Sequence, residues 1–315
     1  MTKLKLLKTF SALTMGNAPH SIVTIGTFDG VHIGHQKIIK RLIEVGKQKQ
    51  LKSVVMTFFP HPRMVLQKNS GILLLNTLEE KENILQSLGL DQMIVQTFNK
   101  EFANLSAEEF VKDILVDTLK AKYIIIGYDH QFGKDRSANI KDLKSFGNRF
   151  DFEVEEISAQ DVEDVSVSST KIRSALQNGD ISTANAYLGY NYFLTGTVIN
   201  GKGLGKQIGF PTANVKIEED YKLIPKDGVY VVKGIIENLE VFGMMNIGKN
   251  PTVDGKQHSI EVNFFNFEDN IYGKKVKIEI LHRLRDETKF ESIELLKDQL
   301  KSDRKNSKNF LKYHD

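Results

Sequence analysis

The segment that most constrains this chain is Gly26-Thr27-Phe28-Asp29-Gly30-Val31-His32-Ile33-Gly34-His35. It follows a short apolar run, Ile22-Val23-Thr24-Ile25, and precedes apolar residues at helical spacing, Ile38, Ile39, Leu42 and Ile43. The pattern predicts strand, glycine turn and helix, with two histidines three apart at the helix entrance. The first turn of a helix carries N–H groups without intrahelical partners and lies at the positive end of the helix dipole, so an anion belongs there. Two imidazoles at that place add donors suited to a phosphate. A nucleotide phosphate is the expected occupant, although histidines at this spacing also occur as structural residues.

The pattern that follows alternates. Residues 53–59 read as a buried strand ending at Pro60-His61-Pro62, residues 78–88 as a helix closed by Gly89, and 92–98 as a strand. Ser106 and Glu109 form a capping box ahead of a helix over 110–119. A strand over 123–127, a helix near 140–146 and a strand near 152–157 complete the run. Strands alternating with helices imply a mostly parallel sheet covered on both faces. Ligands of such sheets bind beyond the carboxyl ends of the strands. The candidate residues fall there: Gly26 to His35 after the first strand, His61 after the second, and Asp129 after Ile124-Ile125-Ile126. Val167-Ser168-Ser169-Thr170-Lys171-Ile172-Arg173 reads as a second helix entrance. Its hydroxyls, free N–H groups and cations suit nucleotide phosphates. Pro-His-Pro is also an ordinary rigid loop, and Ser169-Thr170 also an ordinary N-cap.

Length and composition narrow the function classes. The 315 residues suggest two domains. With 43 basic and 40 acidic residues the net charge is +3, which gives no broad nucleic-acid surface. The lysine-rich stretch 301–312 reads as a solvated helix face. There is no cysteine, which excludes disulfides, thiolate catalysis and cysteine-bound metal. The first residues lack the apolar core of a signal peptide, and no apolar run approaches the roughly 20 residues of a membrane span. The expectation is a cytoplasmic protein acting on small molecules, with neither nucleic acid nor membrane as partner.

Past Gly189-Tyr190-Asn191 the texture changes, which sets the domains at 1–188 and 189–315. Short strands at 193–198, 228–234, 241–247, 259–265 and 275–281 predict a small antiparallel barrel, followed by helices at 292–301 and 307–313. A second glycine loop, Gly201-Lys202-Gly203-Leu204-Gly205-Lys206, leads to Gly209-Phe210-Pro211-Thr212-Ala213-Asn214. It is not a P-loop, because Gly203 stands where the magnesium-binding hydroxyl belongs and no helix is expected after it. Nor is it a dinucleotide fingerprint, because position 206 is lysine. A glycine loop still wraps a phosphate through its N–H groups, and Lys206 adds charge. Thr212 and Asn214, two apart on a strand, face the same way and offer oxygens to a hard cation. An ordinary flexible hairpin accounts equally well for these residues.

Gly-x-Phe-Asp-Gly-x-His-x-Gly-His, the Pro-His-Pro loop and Ser-Ser-Thr-x-Ile-Arg resemble the adenylyltransferase half of bacterial bifunctional riboflavin kinase/FAD synthetases, within the His-x-Gly-His nucleotidyltransferases. Gly201 to Asn214, Asn246-Ile247-Gly248-x-x-Pro251-Thr252, Ser259-Ile260-Glu261-Val262 and Leu284-Arg285-Asp286-Glu287 resemble the riboflavin kinase half. Together the motifs span residues 15–303. The resemblance implies a Rossmann-like α/β domain plus a six-stranded antiparallel barrel with C-terminal helices. It implies phosphorylation of riboflavin to FMN, then adenylylation of FMN to FAD and pyrophosphate. The alternative is one of these activities alone, with the other domain kept for binding. Among the site residues it implies, Gly26, Phe28, Asp29, His32, His35, Ser169, Thr170 and Arg173 hold one ATP, and His61 and Asp129 the flavin beside it. Gly201, Gly203, Lys206, Thr212 and Asn214 hold a second ATP with Mg²⁺ on Thr212 and Asn214. Glu261 is the general base, and Arg285, Thr288 and Phe290 contact riboflavin. The chain departs from the common pattern at Tyr128-Asp129-His130-Gln131-Phe132, where Phe-Asp-Phe-Arg-Phe is usual, and at Asn263, where histidine is frequent.

Overall fold

A computed structural model describes residues 9–10, 20–67, 70–127, 130–157, 167–201, 204–249 and 258–312. The chain forms two compact units, residues 1–168 and 169–315.

The first unit is built on a sheet of β1 (Thr9–Phe10), β2 (Ser21–Ile25), β3 (Lys52–Phe59), β4 (Gln92–Thr97), β5 (Ala121–Gly127) and β6 (Glu153–Ile157). The order is β1-β4-β3-β2-β5-β6. All neighbours run parallel except β1, which lies antiparallel on β4. Alternation along the strands divides the core between the two faces. Val23, Val54, Met56, Ile124 and Ile126 face one way, onto Phe102, Phe110, Ile114 and Leu115. Ile22, Val55 and Ile125 face the other, onto Ile39, Leu42 and Ile43 of α1 (Ile33–Lys49) and onto Leu85. Each such side chain contributes about 1.5–3 kcal/mol by leaving water. The strand order reverses between β2 and β5, which opens a crevice at their carboxyl ends. Gly26 to His32 lies at that place.

The elements that follow β3 in this unit are α2 (Pro62–Leu66), α3 (Leu78–Ser87), α4 (Lys100–Ala103) and α5 (Ala107–Glu109). The Ser106–Glu109 capping box is formed. Beyond it the chain runs as a π-helix over Phe110–Thr118 rather than an α-helix. The wider ladder is visible where the Leu119 N–H reaches the Ile114 carbonyl at 2.9 Å. The helix α6 (Ile140–Phe150) then leads to β6.

In the second unit β7 (Phe193–Ile199), β8 (Ala213–Lys216), β9 (Gly228–Ile236), β10 (Leu239–Lys249), β11 (His258–Phe264) and β12 (Lys275–Arg285) close into a barrel, in the order β10-β11-β8-β7-β12-β9. All its pairings are antiparallel. The helices Ser169–Asn178 and Ile181–Leu188 belong to this unit by their contacts. Asn185 ties them to it: its amide donates to the Ile280 carbonyl at 3.0 Å and its oxygen accepts the Tyr192 N–H at 2.7 Å. The compact units therefore part at 168/169, ahead of the change of texture at 188/189.

One helix, Ile293–Lys312, replaces the two expected at the C-terminus. The polar run that looked like a break is satisfied within the helix. Asp303 and Ser307 are buried, the Ser307 hydroxyl donates to the Asp303 carbonyl at 2.8 Å, and Arg285 and Gln299 donate to the Asp303 carboxylate.

Candidate active sites

The turn after β2 is a tight structure with little freedom. Gly30 has φ of 86°, a left-handed conformation that suits glycine, and Phe28 and Val31 adopt φ of 44° and 36°. His32 is the N-cap of α1, and its Nδ1 accepts the His35 N–H at 3.3 Å. With Nδ1 accepting, the proton of the neutral ring sits on Nε2, which is left as a donor. The His32 and His35 rings stack at 3.6 Å with 16° between their planes, and Phe28 meets His35 edge-on at 5.1 Å. Burial pulls the His32 pKa down to about 4, against the opposing charge of Asp29. Burial, then the charges of His32 and Lys81, hold His35 well below the usual histidine range. Both rings are neutral at pH 7. The His35 Nδ1 is buried without a hydrogen-bond partner among the described residues. The sequence-expected pair thus meets at the helix start as two stacked neutral rings.

The other candidates of this unit take distinct places. Gly26 packs under the Phe28 ring and donates its N–H to the Met56 carbonyl at 3.1 Å. The buried Asp29 carboxylate accepts the Leu75 N–H at 2.9 Å, so it braces the turn. His61 caps α2, its Nδ1 accepting the Arg63 N–H at 3.1 Å, which again leaves Nε2 as the donor. Asp129 lies outside the described residues. Lys81, a residue the sequence did not single out, is buried and donates to the Thr27 carbonyl at 2.7 Å.

In the barrel, the pleat of β11 sends alternate residues to opposite faces. Ile260 and Val262 are buried and pair with Ile247 and Met245 of β10, which are buried as well. Glu261 between them points outward. Its neighbours in register are Asn246 on one side and Asn214 on the other. The Thr212 hydroxyl is 3.3 Å from the Glu261 carboxylate. A carboxylate only accepts, so the hydroxyl donates and its oxygen lone pairs remain for a cation. A Cβ on Gly201 would lie 1.9 Å from the Asn214 amide nitrogen, so glycine is what lets this loop close over Asn214. Thr212, Asn214, Glu261 and Gly201 are therefore brought together. Gly203 and the side chain of Lys206 lie outside what the structure describes.

Comparison with known proteins decides what this pair of sites belongs to. The FAD synthetase family model matches residues 15–171 and the riboflavin kinase model residues 188–311. The bifunctional riboflavin kinase/FMN adenylyltransferase of Bacillus subtilis is 39% identical over 90% of either chain. The chain belongs to the bifunctional riboflavin kinase/FMN adenylyltransferase family. The protein of that name from Haemophilus influenzae is 38% identical over 91% of this chain and 93% of its own. The one from Escherichia coli K12 is 32% identical over 98% of each. A crystal structure described as a macrolide-efflux protein from Streptococcus pneumoniae aligns with 93% of this chain and 95% of its own, at 36% identity and a TM-score of 0.84. No helix among the described residues is long and apolar enough to cross a membrane.

A riboflavin kinase/FMN adenylyltransferase is a transferase of phosphorus-containing groups with nucleotide and flavin substrates, and both halves of the family are present in this chain. Its remaining expected site residues lie in the second unit. Ser169 and Thr170 stand on the first turn of the helix Ser169–Asn178 and Arg173 one turn in, with Thr170 exposed and the other two half-buried. Arg285 grips the buried Asp303 carboxylate through Nε and Nη2, at 3.0 and 2.7 Å, and donates to the Asp286 carbonyl at 2.9 Å. Phe290 lies 5.8 Å from its guanidinium, and Thr288 is exposed. The structure thus gives Arg285 a clear part in docking the C-terminal helix.

Two further residues stand beside Glu261. Asn246 flanks Glu261, and Asn263 lies two residues beyond it on the same face. The Asn263 amide donates to the Pro211 carbonyl at 2.6 Å, and its oxygen accepts from Arg304 at 3.1 Å. Asparagine at this departure from the family pattern thus holds the segment that carries Thr212. Period-two spacing from Glu261 was the signal available for Asn263.

Proposed function

We propose that this enzyme carries both reactions of its family, each in its own domain, and that these functional domains divide at 1–188 and 189–315. In the kinase, the 5′-hydroxyl of riboflavin attacks the γ-phosphorus of ATP while Glu261 accepts its proton, and ADP leaves as the bond from the γ-phosphorus to the bridging oxygen breaks. Thr212 and Asn214, with the glycine loop from Gly201 through Gly203 and Lys206, hold the phosphates. The fit of Mg²⁺ rests on the donor set: two neutral oxygens beside one carboxylate suit a hard cation that arrives with a nucleotide, whose phosphates complete its coordination. No group of three histidine, aspartate or glutamate side chains placed to bind a metal alone occurs among the described residues. Bound there, the cation would offset the phosphate charge. Arg285, Thr288 and Phe290 border the flavin.

In the adenylyltransferase, the FMN phosphate attacks the α-phosphorus of a second ATP and pyrophosphate leaves. The nucleophile is already anionic, so no strong base is required. His32 and His35 donate to the phosphates from the helix start, Gly26, Phe28 and Asp29 shape the seat, and His61 and Asp129 contact the flavin. Ser169 and Thr170 on the first turn of their helix, with Arg173 one turn in, are a phosphate seat on the same physical grounds. A hydrogen bond to a charged group contributes about 1.5–3 kcal/mol. His32→Ala should therefore slow FAD formation about ten- to a hundredfold and leave FMN formation intact. The dependence on ATP supports a cytoplasmic setting.

The observation that carries this reading is the Thr212–Glu261 contact with Asn214 in register beside it, in the same chain as a histidine-capped nucleotide turn. Incubating the enzyme with riboflavin and Mg-ATP, and resolving flavins by chromatography, tests it. FMN followed by FAD is expected. FMN alone, or FAD only from added FMN, would leave a single-function enzyme.

A further inference from the structure

Lys81 is 4% exposed, buried at the start of α3 beneath the turn that carries His32. Burying an ammonium is costly, and an apolar side chain of the same length would fill the space without that cost. What the ammonium adds is hydrogen bonding. Its Nζ donates to the Thr27 carbonyl at 2.7 Å and to the Thr57 hydroxyl at 3.3 Å. The Thr57 hydroxyl donates in turn to the same Thr27 carbonyl at 3.0 Å. The Thr27 carbonyl, in the turn that leads from β2 to the histidines, is thus fixed to β3 and α3 together. The first turn of α3 is itself fixed by a capping box between Thr77 and Glu80.

We propose that Lys81 is a positioning residue for adenylyl transfer: its ammonium pins the Thr27 carbonyl and so sets the turn from which His32 and His35 meet the nucleotide. The proposal rests on the assignment of adenylyl transfer to those histidines. The charged and titratable groups that face Lys81 are Asp29 from the turn after β2 and His35 from α1, with His32 stacked behind His35. On its own helix Glu80 is committed to the Thr77 cap and Glu82 accepts from Gln86. Asp29 favours the charged form of Lys81, but burial outweighs it and brings the pKa down to about 8. The ammonium is present at neutral pH and is lost as the pH rises through that value. Asp29 then loses its counter-charge, and the Thr27 carbonyl keeps a weaker donor.

The test compares FAD formation from FMN with FMN formation from riboflavin, on the full chain, between pH 6.5 and 9.5. In the wild type, kcat for FAD formation should fall along a limb near pH 8 that the kinase reaction lacks. In Lys81→Arg, which stays charged throughout, the limb should vanish. Lys81→Met should lower kcat for FAD formation about ten- to a hundredfold at pH 7, with KM for ATP changed less and the kinase rate kept. A flat wild-type profile, a limb unchanged in Lys81→Arg, or a Lys81→Met rate within twofold of wild type would each overturn the proposal. The wild-type profile decides the matter if the variants fail to fold. His32→Ala, assayed alongside, separates the two levels. If it leaves FAD formation unchanged, the site assignment fails. If it slows FAD formation and Lys81→Met does not, only the role of Lys81 fails.

Discussion

Gly201→Ala offers a test of the kinase site that barely touches the fold. The added Cβ would lie 1.9 Å from the Asn214 amide nitrogen, 2.5 Å from its Cγ and 2.9 Å from its Oδ1. Ordinary contact begins near 3.4 Å, so the amide must retreat by 3.4 minus 1.9, or about 1.5 Å. The three nearest atoms all belong to the Asn214 side chain, which can rotate away. Stability should change little: replacing glycine gains about 0.4–1 kcal/mol through the unfolded chain, against a rotamer cost of similar size. Catalysis should not be spared. A misplacement of about 1 Å can cost about a hundredfold, and a hundredfold is about 2.7 kcal/mol of transition-state stabilisation. The assay is riboflavin phosphorylation at saturating Mg-ATP, followed by chromatography, with FMN adenylylation in the same preparation as the control. A hundredfold loss of kcat/KM in the first and no change in the second is expected. Kinase activity within threefold of wild type would show that Asn214 does not hold the nucleotide or its cation.

The remaining predictions concern the metal, the C-terminal helix and pH. Chelation of divalent cations should abolish FMN formation from riboflavin and ATP, and added Mg²⁺ should restore it; turnover in excess chelator would remove Thr212 and Asn214 as cation ligands. Arg285→Ala leaves the Asp303 carboxylate, 1% exposed, without its ion-pair partner, with only the Gln299 amide still donating to it. Breaking such a pair costs about 3–5 kcal/mol, to be read as a lower urea midpoint of the barrel unit, and Arg285→Met with Asp303→Leu should recover much of it. His32 has a pKa of about 4 in the fold against 6.5 for an unperturbed histidine. Between those values the unfolded chain binds more protons, so stability of the first unit falls as pH drops from 6.5 to 4, by about 3 kcal/mol. His32→Gln should remove that part of the dependence, measured by urea unfolding at pH 7 and pH 4, and an unchanged dependence would refute the burial argument.

The elements with strong periodicity were legible in the sequence. Ile22 to Ile25 and Ile124 to Ile126 gave buried strands because both faces of the sheet are covered, and the candidate turn followed from them. The barrel was legible as a texture, but the extent of β8 was not: only the Thr212 and Asn214 spacing marked a strand there, because Ala213–Lys216 is too short to show alternation. The break expected near Lys301 was wrong for a tertiary reason: Arg285 satisfies Asp303 from another element. The π-helix was invisible because the capping box fixes where a helix starts, not how its ladder is spaced. Spacing alone could suggest Thr212 and Asn214. Only the fold brings Glu261, 49 residues from Thr212, against them. Lys81 had no signal at all, since a lysine in a helix reads as surface until the fold buries it.

The central claim is that one chain holds two independent sites, and complementation tests it most directly. Glu261→Gln should convert FMN to FAD but leave riboflavin unphosphorylated, whereas His32→Ala should turn riboflavin into FMN and stop there. Mixed in equal amounts with riboflavin and Mg-ATP, the two variants should make FAD that neither makes alone. If the mixture yields no FAD, or if one variant alone loses both reactions, the division of labour between the helix start at His32 and the barrel row at Glu261 is contradicted.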